Sequence, residues 1–369
     1  NLWDSPPEPA TSQTVVSDKP SIAVLPFNNL SDDPNQEYFV DGMTEDLITD
    51  LAKINDLFVI ARNTSFTYKD RSVVVPDVAR ELGVKFVLEG SVRRIGDQVR
   101  INAQLIDGVS GAHIWADRYD GNLADVLALQ DEVTGNIVKQ LQITITPDEQ
   151  NHRTKRDTEN TAAHDAYLRG WQYYRRNTPE DFAKAIPHLK HAVELDPEYG
   201  QAWAALAAMY WIAYRNGFAW SSIVNPDKSN AVSLNGALNR AEANLRQAER
   251  NPTPLAHQIE SQISWEYRQF DRALSEAKQA VDLNENDPAG HLAMAWALIF
   301  SGQAEPAITS TEIGVQLDPQ FPGNHLYARG VAYFMLKRYD EAASALERAL
   351  AFNPENRAML MPLSLAYAQ

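Results

Sequence analysis

Three segments in the second half of this chain end alike: Leu195-Asp196-Pro197, Leu317-Asp318-Pro319 and Phe352-Asn353-Pro354. The last two prolines stand 35 positions apart, and each segment closes an Ala-rich helical run and precedes another. Proline cannot continue the backbone hydrogen-bond ladder of a helix, so each one is a stop signal. Helical self-similarity at a period of roughly 34 residues specifies a solenoid of stacked helix pairs. No single pair buries its own apolar face, so the pairs stack, and the stack presents a long concave surface. The first expectation is therefore binding and scaffolding rather than chemistry.

The helix pairs are expected near 163–176 with 180–195, 199–215 with 229–250, 255–268 with 270–283, 289–301 with 304–317, and 322–337 with 340–352. A lone helix begins at Glu355, and an insertion from Asn216 to about Lys228 lengthens the second pair. Small residues (Gly170, Ala207, Gly330) fall where paired helices cross, while Trp203, Tyr173, Tyr210 and Tyr333 fill the gaps between them. This spacing resembles the tetratricopeptide repeat family over residues 163–369, about five and a half repeats. The third and fourth repeats depart from the pattern, with Ser261 at the small position and Thr311 in place of a large residue.

The first 20 residues, with Pro6-Pro7, Pro9 and Pro20, read as an extended linker. Residues 21–143 read as an α/β domain. Ile22 to Phe27 is an apolar strand that Pro26 closes, and Glu37 to Ile54 is a helix with Phe39, Met43, Leu47, Leu51 and Ile54 on one stripe. Leu57 to Ile60 is a second strand, and Pro76 to Leu82 a short helix stopped by Gly83. Lys85 to Ile95 and Gln98 to Ile106 form a hairpin about Gly96-Asp97; Ala112 to Tyr119 adds a strand and Leu123 to Leu141 a closing helix. The order β-α-β-α-β-β-β-α specifies a mixed sheet covered by helices. Residues 144–162 read as a polar connector.

The ordered motifs of this domain include Ile22-Ala23-Val24-Leu25-Pro26-Phe27, Asp41-Gly42-Met43-Thr44-Glu45-Asp46, Leu88-Glu89-Gly90-Ser91-Val92-Arg93 and His113-Ile114-Trp115-Ala116-Asp117-Arg118-Tyr119. They resemble the region that follows the catalytic domain in many bacterial class III adenylate cyclases carrying tetratricopeptide repeats. A related module occurs in winged-helix transcriptional regulators, and the fold is similar to the amino-terminal domain of TolB and to FlgO-like proteins. The resemblance implies an accessory or sensory region of a signalling protein. It transfers no cyclase activity, because no segment here matches the cyclase domain with its paired metal-binding aspartates. The chain starts without Met and stops at Gln369 inside a new repeat helix, which reads as a piece of something longer; its compartment stays open.

A net charge of −16 disfavours nucleic acid and acidic lipid as partners. No apolar run reaches the ~18–20 residues needed to span a bilayer, so no direct membrane insertion by these residues is expected. The absence of cysteine removes thiol nucleophiles and Cys-based zinc sites. No phosphate loop, Ser-His-Asp order or HExxH motif appears, so no catalytic residues, metal or cofactor are assigned.

The binding expectation rests on aromatics placed on the concave face by setting the repeats in register: Tyr167, Trp171 and Tyr174, then Trp211, Trp265, Trp296 and Phe300, and Tyr327 and Phe334. Such a lining would anchor a peptide or a protein helix, or mediate self-association. The plainer reading is packing between neighbouring helices. Three weaker candidates read best as ordinary structure. Glu89, Arg93, Arg100, Asn102 and Gln104 form a solvated sheet face. Asp32, Asp33, Glu37 and Asp41 complement a helix start. His188 and His191, three apart, lack a third ligand for a metal. The expected function is a non-catalytic sensory and scaffold region that biases an upstream effector. The alternatives are the sensor of a winged-helix regulator, or an enzyme with its site in the α/β domain.

Overall fold

A computed structural model describes residues 19–143, 156–176, 178–216, 234–354 and 356–368. Most of the expected linker, most of the connector and the insertion after Asn216 lie outside the described residues. In the α/β domain the strands are β1 (Ser21–Val24), β2 (Asn28–Asn29), β3 (Phe58–Val59), β4 (Phe86–Ile95), β5 (Gln98–Asp107) and β6 (His113–Asn122). The helices are α1 (Glu37–Ala52), α2 (Arg62–Ser65), α3 (Val75–Leu82) and α4 (Val126–Gln140). The sheet order is β3-β1-β4-β5-β6, parallel from β3 to β4 and antiparallel from β4 to β6. This is the expected mixed sheet, with two short additions: β2, which pairs with Ser91 and Val92 of β4 just past the residues that β1 takes, and α2.

Alternation along β1 decides which helix covers which face. Ile22 and Val24 join the core under α1 and α4, whereas Ala23 and Leu25 join Val78, Ala79 and Leu82 under α3. Gly83 stops α3 in the left-handed conformation that glycine adopts without a Cβ clash (φ 68°). The face of β4–β6 opposite α1 carries the polar residues read from the sequence. Asn102 donates to Ser91 at 3.0 Å, Arg100 to Asp120 at 2.5 Å, and Arg93 lies 3.8 Å from Asp32.

Beyond residue 156 the described chain is helical: α5 (Thr161–Tyr174), α6 (Pro179–Leu195), α7 (Gly200–Asn216), α8 (Leu234–Ala248), α9 (Pro254–Glu266), α10 (Phe270–Leu283), α11 (Pro288–Phe300), α12 (Ala304–Leu317), α13 (Gly323–Met335), α14 (Tyr339–Phe352) and α15 (Leu360–Tyr367). They pack as successive antiparallel pairs, a tetratricopeptide-type solenoid. Polar caps start them: Asn160, Thr178, Thr253 and Asp287 each accept a hydrogen bond from the first turn of the helix that follows. A methyl group on Gly330 would come within 2.5 Å of Leu346, and one on Gly170 within 2.7 Å of Leu189, so the helices touch where the small residues stand. The two departures from the pattern have their own chemistry. Ser261 donates across the same crossing to the Ala273 carbonyl at 2.8 Å, and Thr311 accepts from Arg329 at 3.0 Å. No described helix is long and apolar enough to cross a membrane.

The two parts are interlocked. One apolar core runs from Ile22 and Val24 through α1 and into the first three helix pairs, as far as Ile263. The α/β domain also reaches the turns that precede α11 and α13, through Asn286 and Asp318.

Candidate functional site

The concave aromatics separate into two groups. In the first repeat Tyr167, Trp171 and Tyr174 stack in sequence, with ring centroids 5.5 and 4.4 Å apart, and Tyr174 continues onto Phe182 at 5.9 Å. Tyr167 is buried, closed in by Tyr199 and by Gln201, which donates to its hydroxyl at 3.3 Å. The Trp171 indole donates to Glu45 of α1 at 2.8 Å, and Arg175 pairs with the same carboxylate. Helix α1 therefore covers this end of the concave face. Burial pushes the Tyr174 phenol up to about 12, so it stays neutral and behaves as packing.

The second group forms a ladder across four repeats. Trp211 meets Trp265 edge-on at 6.4 Å, Trp265 stacks on Phe300 at 4.9 Å, Phe300 on Trp296 at 5.8 Å, and Trp296 meets Tyr327 edge-on at 5.2 Å. Arg215 lies 4.8 Å over the Trp265 ring. Trp211 is buried at the root, its indole donating to Gln262 at 2.7 Å. Trp265, Trp296 and Tyr327 are half-buried, and Phe300 is 40% exposed. Phe334 stands apart against Tyr339 at 5.6 Å. Register thus brings Trp211, Trp265, Trp296, Phe300 and Tyr327 together. Tyr167 and Trp211, read from the sequence as lining residues, support the surface from beneath, because each is enclosed by its neighbours.

The residues that sequence reasoning missed lie on the seam. Asn286 accepts from the Val59 amide at 3.2 Å and donates to the Ala52 and Leu57 carbonyls at 3.0 and 2.9 Å. Asp318 accepts from the Thr64 amide and hydroxyl at 3.1 and 2.6 Å and from Asn63 at 3.2 Å. Tyr38 donates to Asp165 at 2.6 Å, and Leu168 fills the space over Gly42. The other candidate residues are accounted for locally. Glu37 and Asp41 hold Lys69 at 2.7 and 2.6 Å, and Asp33 caps the turn before α1. His188 stacks on Tyr173 at 6.1 Å, and His191 sits 3.7 Å from Glu194.

His164 gives the seam a pH dependence. It is buried, with Nε2 3.0 Å from Asp46, which also accepts from Gln130 at 2.8 Å. Burial alone would lower its pKa, but Asp46, with Asp165 and Asp157 beyond it, raises it above the ordinary 6.5. A raised folded-state pKa contributes stability fully present below about 6.5 and lost as pH rises through the folded value. The urea midpoint of the native chain should therefore fall as pH rises from about 6.5, and His164→Gln should flatten that dependence. A slope unchanged by the substitution would remove His164 as its source.

These features define a class: a mixed-sheet α/β domain locked onto a solenoid of helix pairs that resembles tetratricopeptide repeats. The tetratricopeptide repeat family model matches residues 326–356. The "Putative adenylate cyclase 3" of Rhizobium meliloti (strain 1021) is 45% identical over 216 residues, which span 58% of this chain and 36% of that protein. The chain thus spans only about a third of its curated relative. Among solved structures, a thermophilic TPR protein of Thermus thermophilus aligns at 19% identity and a TM-score of 0.40, covering 56% of this chain and all (100%) of that one. TolB from Acinetobacter baumannii aligns at 18% identity and a TM-score of 0.26, covering 34% of this chain and 29% of that one.

Proposed function

We propose that this chain is a non-catalytic scaffold that holds a protein or peptide partner on its aromatic ladder and passes the occupancy of that ladder to an effector domain upstream. The observation that carries the reading is the ladder itself. Rings from four repeats touch in series, and Phe300 at its middle is 40% exposed, an arrangement that packing between neighbours does not require. The similarity to the "Putative adenylate cyclase 3" supports a cyclase-like effector in this reading. Because the α/β domain grips the first repeat and two later turns, any ligand that bends the solenoid also loads the α/β domain. The mechanism is then a population shift between two arrangements of the attached domains.

The test is selection of a displayed peptide library on the full chain, followed by affinities for Phe300→Ala and Trp296→Ala. Aromatic anchors of this kind contribute about 2 kcal/mol or more, a loss of about 30-fold in affinity. Selected peptides that bind both variants as tightly as the native chain would place the site elsewhere and defeat the proposal.

A further inference from the structure

Arg62 opens α2 on the α/β domain, and it is a poorly satisfied charge on the seam. Its side chain is only 22% exposed, yet its guanidinium makes no hydrogen bond among the described residues. Its Nε is shut away from solvent without an acceptor, and the nearest carboxylate, Glu45, lies 3.8 Å away. Phe66 supports the guanidinium plane at 3.5 Å. Glu45 is already engaged, accepting from the Trp171 indole and pairing with Arg175, whose own Nε is likewise buried and unpartnered. Asp41, a further carboxylate near Arg62, is held by Lys69. Burial and the neighbouring Arg175 together push the Arg62 guanidinium down to about 10. Two arginines therefore share one glutamate in a half-buried site between the α/β domain and the first repeat.

A structural arginine in such a place normally forks onto a carboxylate or a row of carbonyls. Guanidinium donors left idle in a largely desolvated site are destabilising unless something else accepts from them. We infer that Arg62 and Arg175 form a binding site for a compact oxyanion, a carboxylate or phosphoryl group of a small ligand, seated where the α/β domain meets the solenoid. The chemistry fits the group. A planar fork matches two oxygens of either anion, Phe66 and Trp171 wall the site with rings, and Glu45 holds Arg175 in place. Because its donors come from both parts of the chain, an occupied site tightens the seam, and it does so independently of the aromatic ladder.

The full chain is titrated with inorganic phosphate and, separately, with succinate, at constant ionic strength set by chloride, following heat and thermal midpoint. Saturable binding of either anion that raises the midpoint is expected. Phosphate alone assigns a phosphoryl ligand, and succinate alone a carboxylate. Arg62→Gln should weaken that binding at least about tenfold, while Arg118→Gln on the uncovered sheet face leaves it unchanged. Without anion, Arg62→Gln should melt at the native midpoint or above it, since it removes a largely buried cation that makes no hydrogen bond and shares Glu45 with Arg175. No saturable binding of either anion, equal binding by Arg62→Gln, or a midpoint lowered by more than about 3 °C in the anion-free variant would each overturn the inference, the last by making Arg62 a strut of the seam.

Discussion

Asn286→Asp is expected to destabilise the native chain by about 3 kcal/mol or more, although it changes a single NH2 group to oxygen. The Asn286 amide works in both directions, accepting from the Val59 amide and donating to the carbonyls of Ala52 and Leu57. An aspartate keeps the first bond and turns the other two into oxygen facing oxygen, in a site 9% exposed. Ionised, it is a buried charge against two carbonyls; protonated, it satisfies one of them at the cost of a raised pKa. Asp318→Asn attacks the second attachment. It replaces a carboxylate that serves Thr64 and Asn63 together with an amide that accepts through one oxygen only. If the α/β domain docks as a unit, the second substitution costs little once the first has released the seam. The double variant should then fall well short of the sum of the singles. Urea denaturation followed separately by tryptophan fluorescence and by limited proteolysis within residues 19–143 measures this. Strict additivity with a single coincident transition would mean that the two contacts are independent surface ties.

That seam changes how the concave aromatics are read. A free-standing solenoid would offer Tyr167, Trp171 and Tyr174 to a partner on equal terms with Trp265 and Phe300. Here α1 lies against the first repeat and takes the Trp171 indole with Glu45. The α/β domain thus acts as the cap that the open end of a repeat stack needs to cover its apolar face. The accessible ladder begins only at the third repeat, with Trp265, and continues through Phe300 and Trp296 to Tyr327.

The fold was legible because its signals are local. Leu-Asp-Pro stops, small residues at helix crossings and an alternating β5 each report on a few neighbouring residues. The ladder was partly legible for the same reason, since register alone puts Trp211, Trp265, Phe300, Trp296 and Tyr327 on one side. What the sequence hid is the second use of residues that already have a local explanation. Asp196 and Asp318 occupy the same place in the same stop motif, and both read as helix-end punctuation. Asp196 stays near its own helix pair, accepting from the Glu198 amide and from the Thr158 hydroxyl, but Asp318 spends its carboxylate on Thr64, more than 250 positions away (|i−j| = 254). Nothing in the motif distinguishes the two. Glu45 likewise sits on an amphipathic helix where a solvent-facing carboxylate is ordinary, and only the approach of α5 makes it a partner for Trp171 and Arg175. Long-range pairing of this kind leaves no periodicity to read.

The second large effect is expected from a methyl group. Gly200 opens α7 where that helix starts against the end of its partner, α8. A Cβ there would overlap the carbonyl oxygen of Asn251 and stand 2.9 Å from its carbonyl carbon. Both obstacles are backbone, and Asn251 is held by its backbone amide, which donates to the Ala248 carbonyl at 3.1 Å, and by its side-chain amide, which donates to the Asp157 carbonyl at 3.4 Å. No rotamer change relieves the contact; the second helix pair must spread. Because α7 carries Trp211, spreading also tilts the root of the ladder. Gly200→Ala should cost about 3 kcal/mol or more, at the upper end of overpacking effects. Gly290 supplies the opposite control within the same solenoid. It lies inside α11, and its nearest obstacle is Val281 at 3.6 Å, an ordinary contact. Gly290→Ala removes the entropic disadvantage of glycine in a helix and should stabilise by about 0.5–1 kcal/mol. Opposite signs for the same chemical change, read from urea midpoints, would show that helix contact rather than helix propensity fixes glycine at Gly200. A Gly200→Ala variant as stable as Gly290→Ala would mean that α7 and α8 are not in contact at that turn.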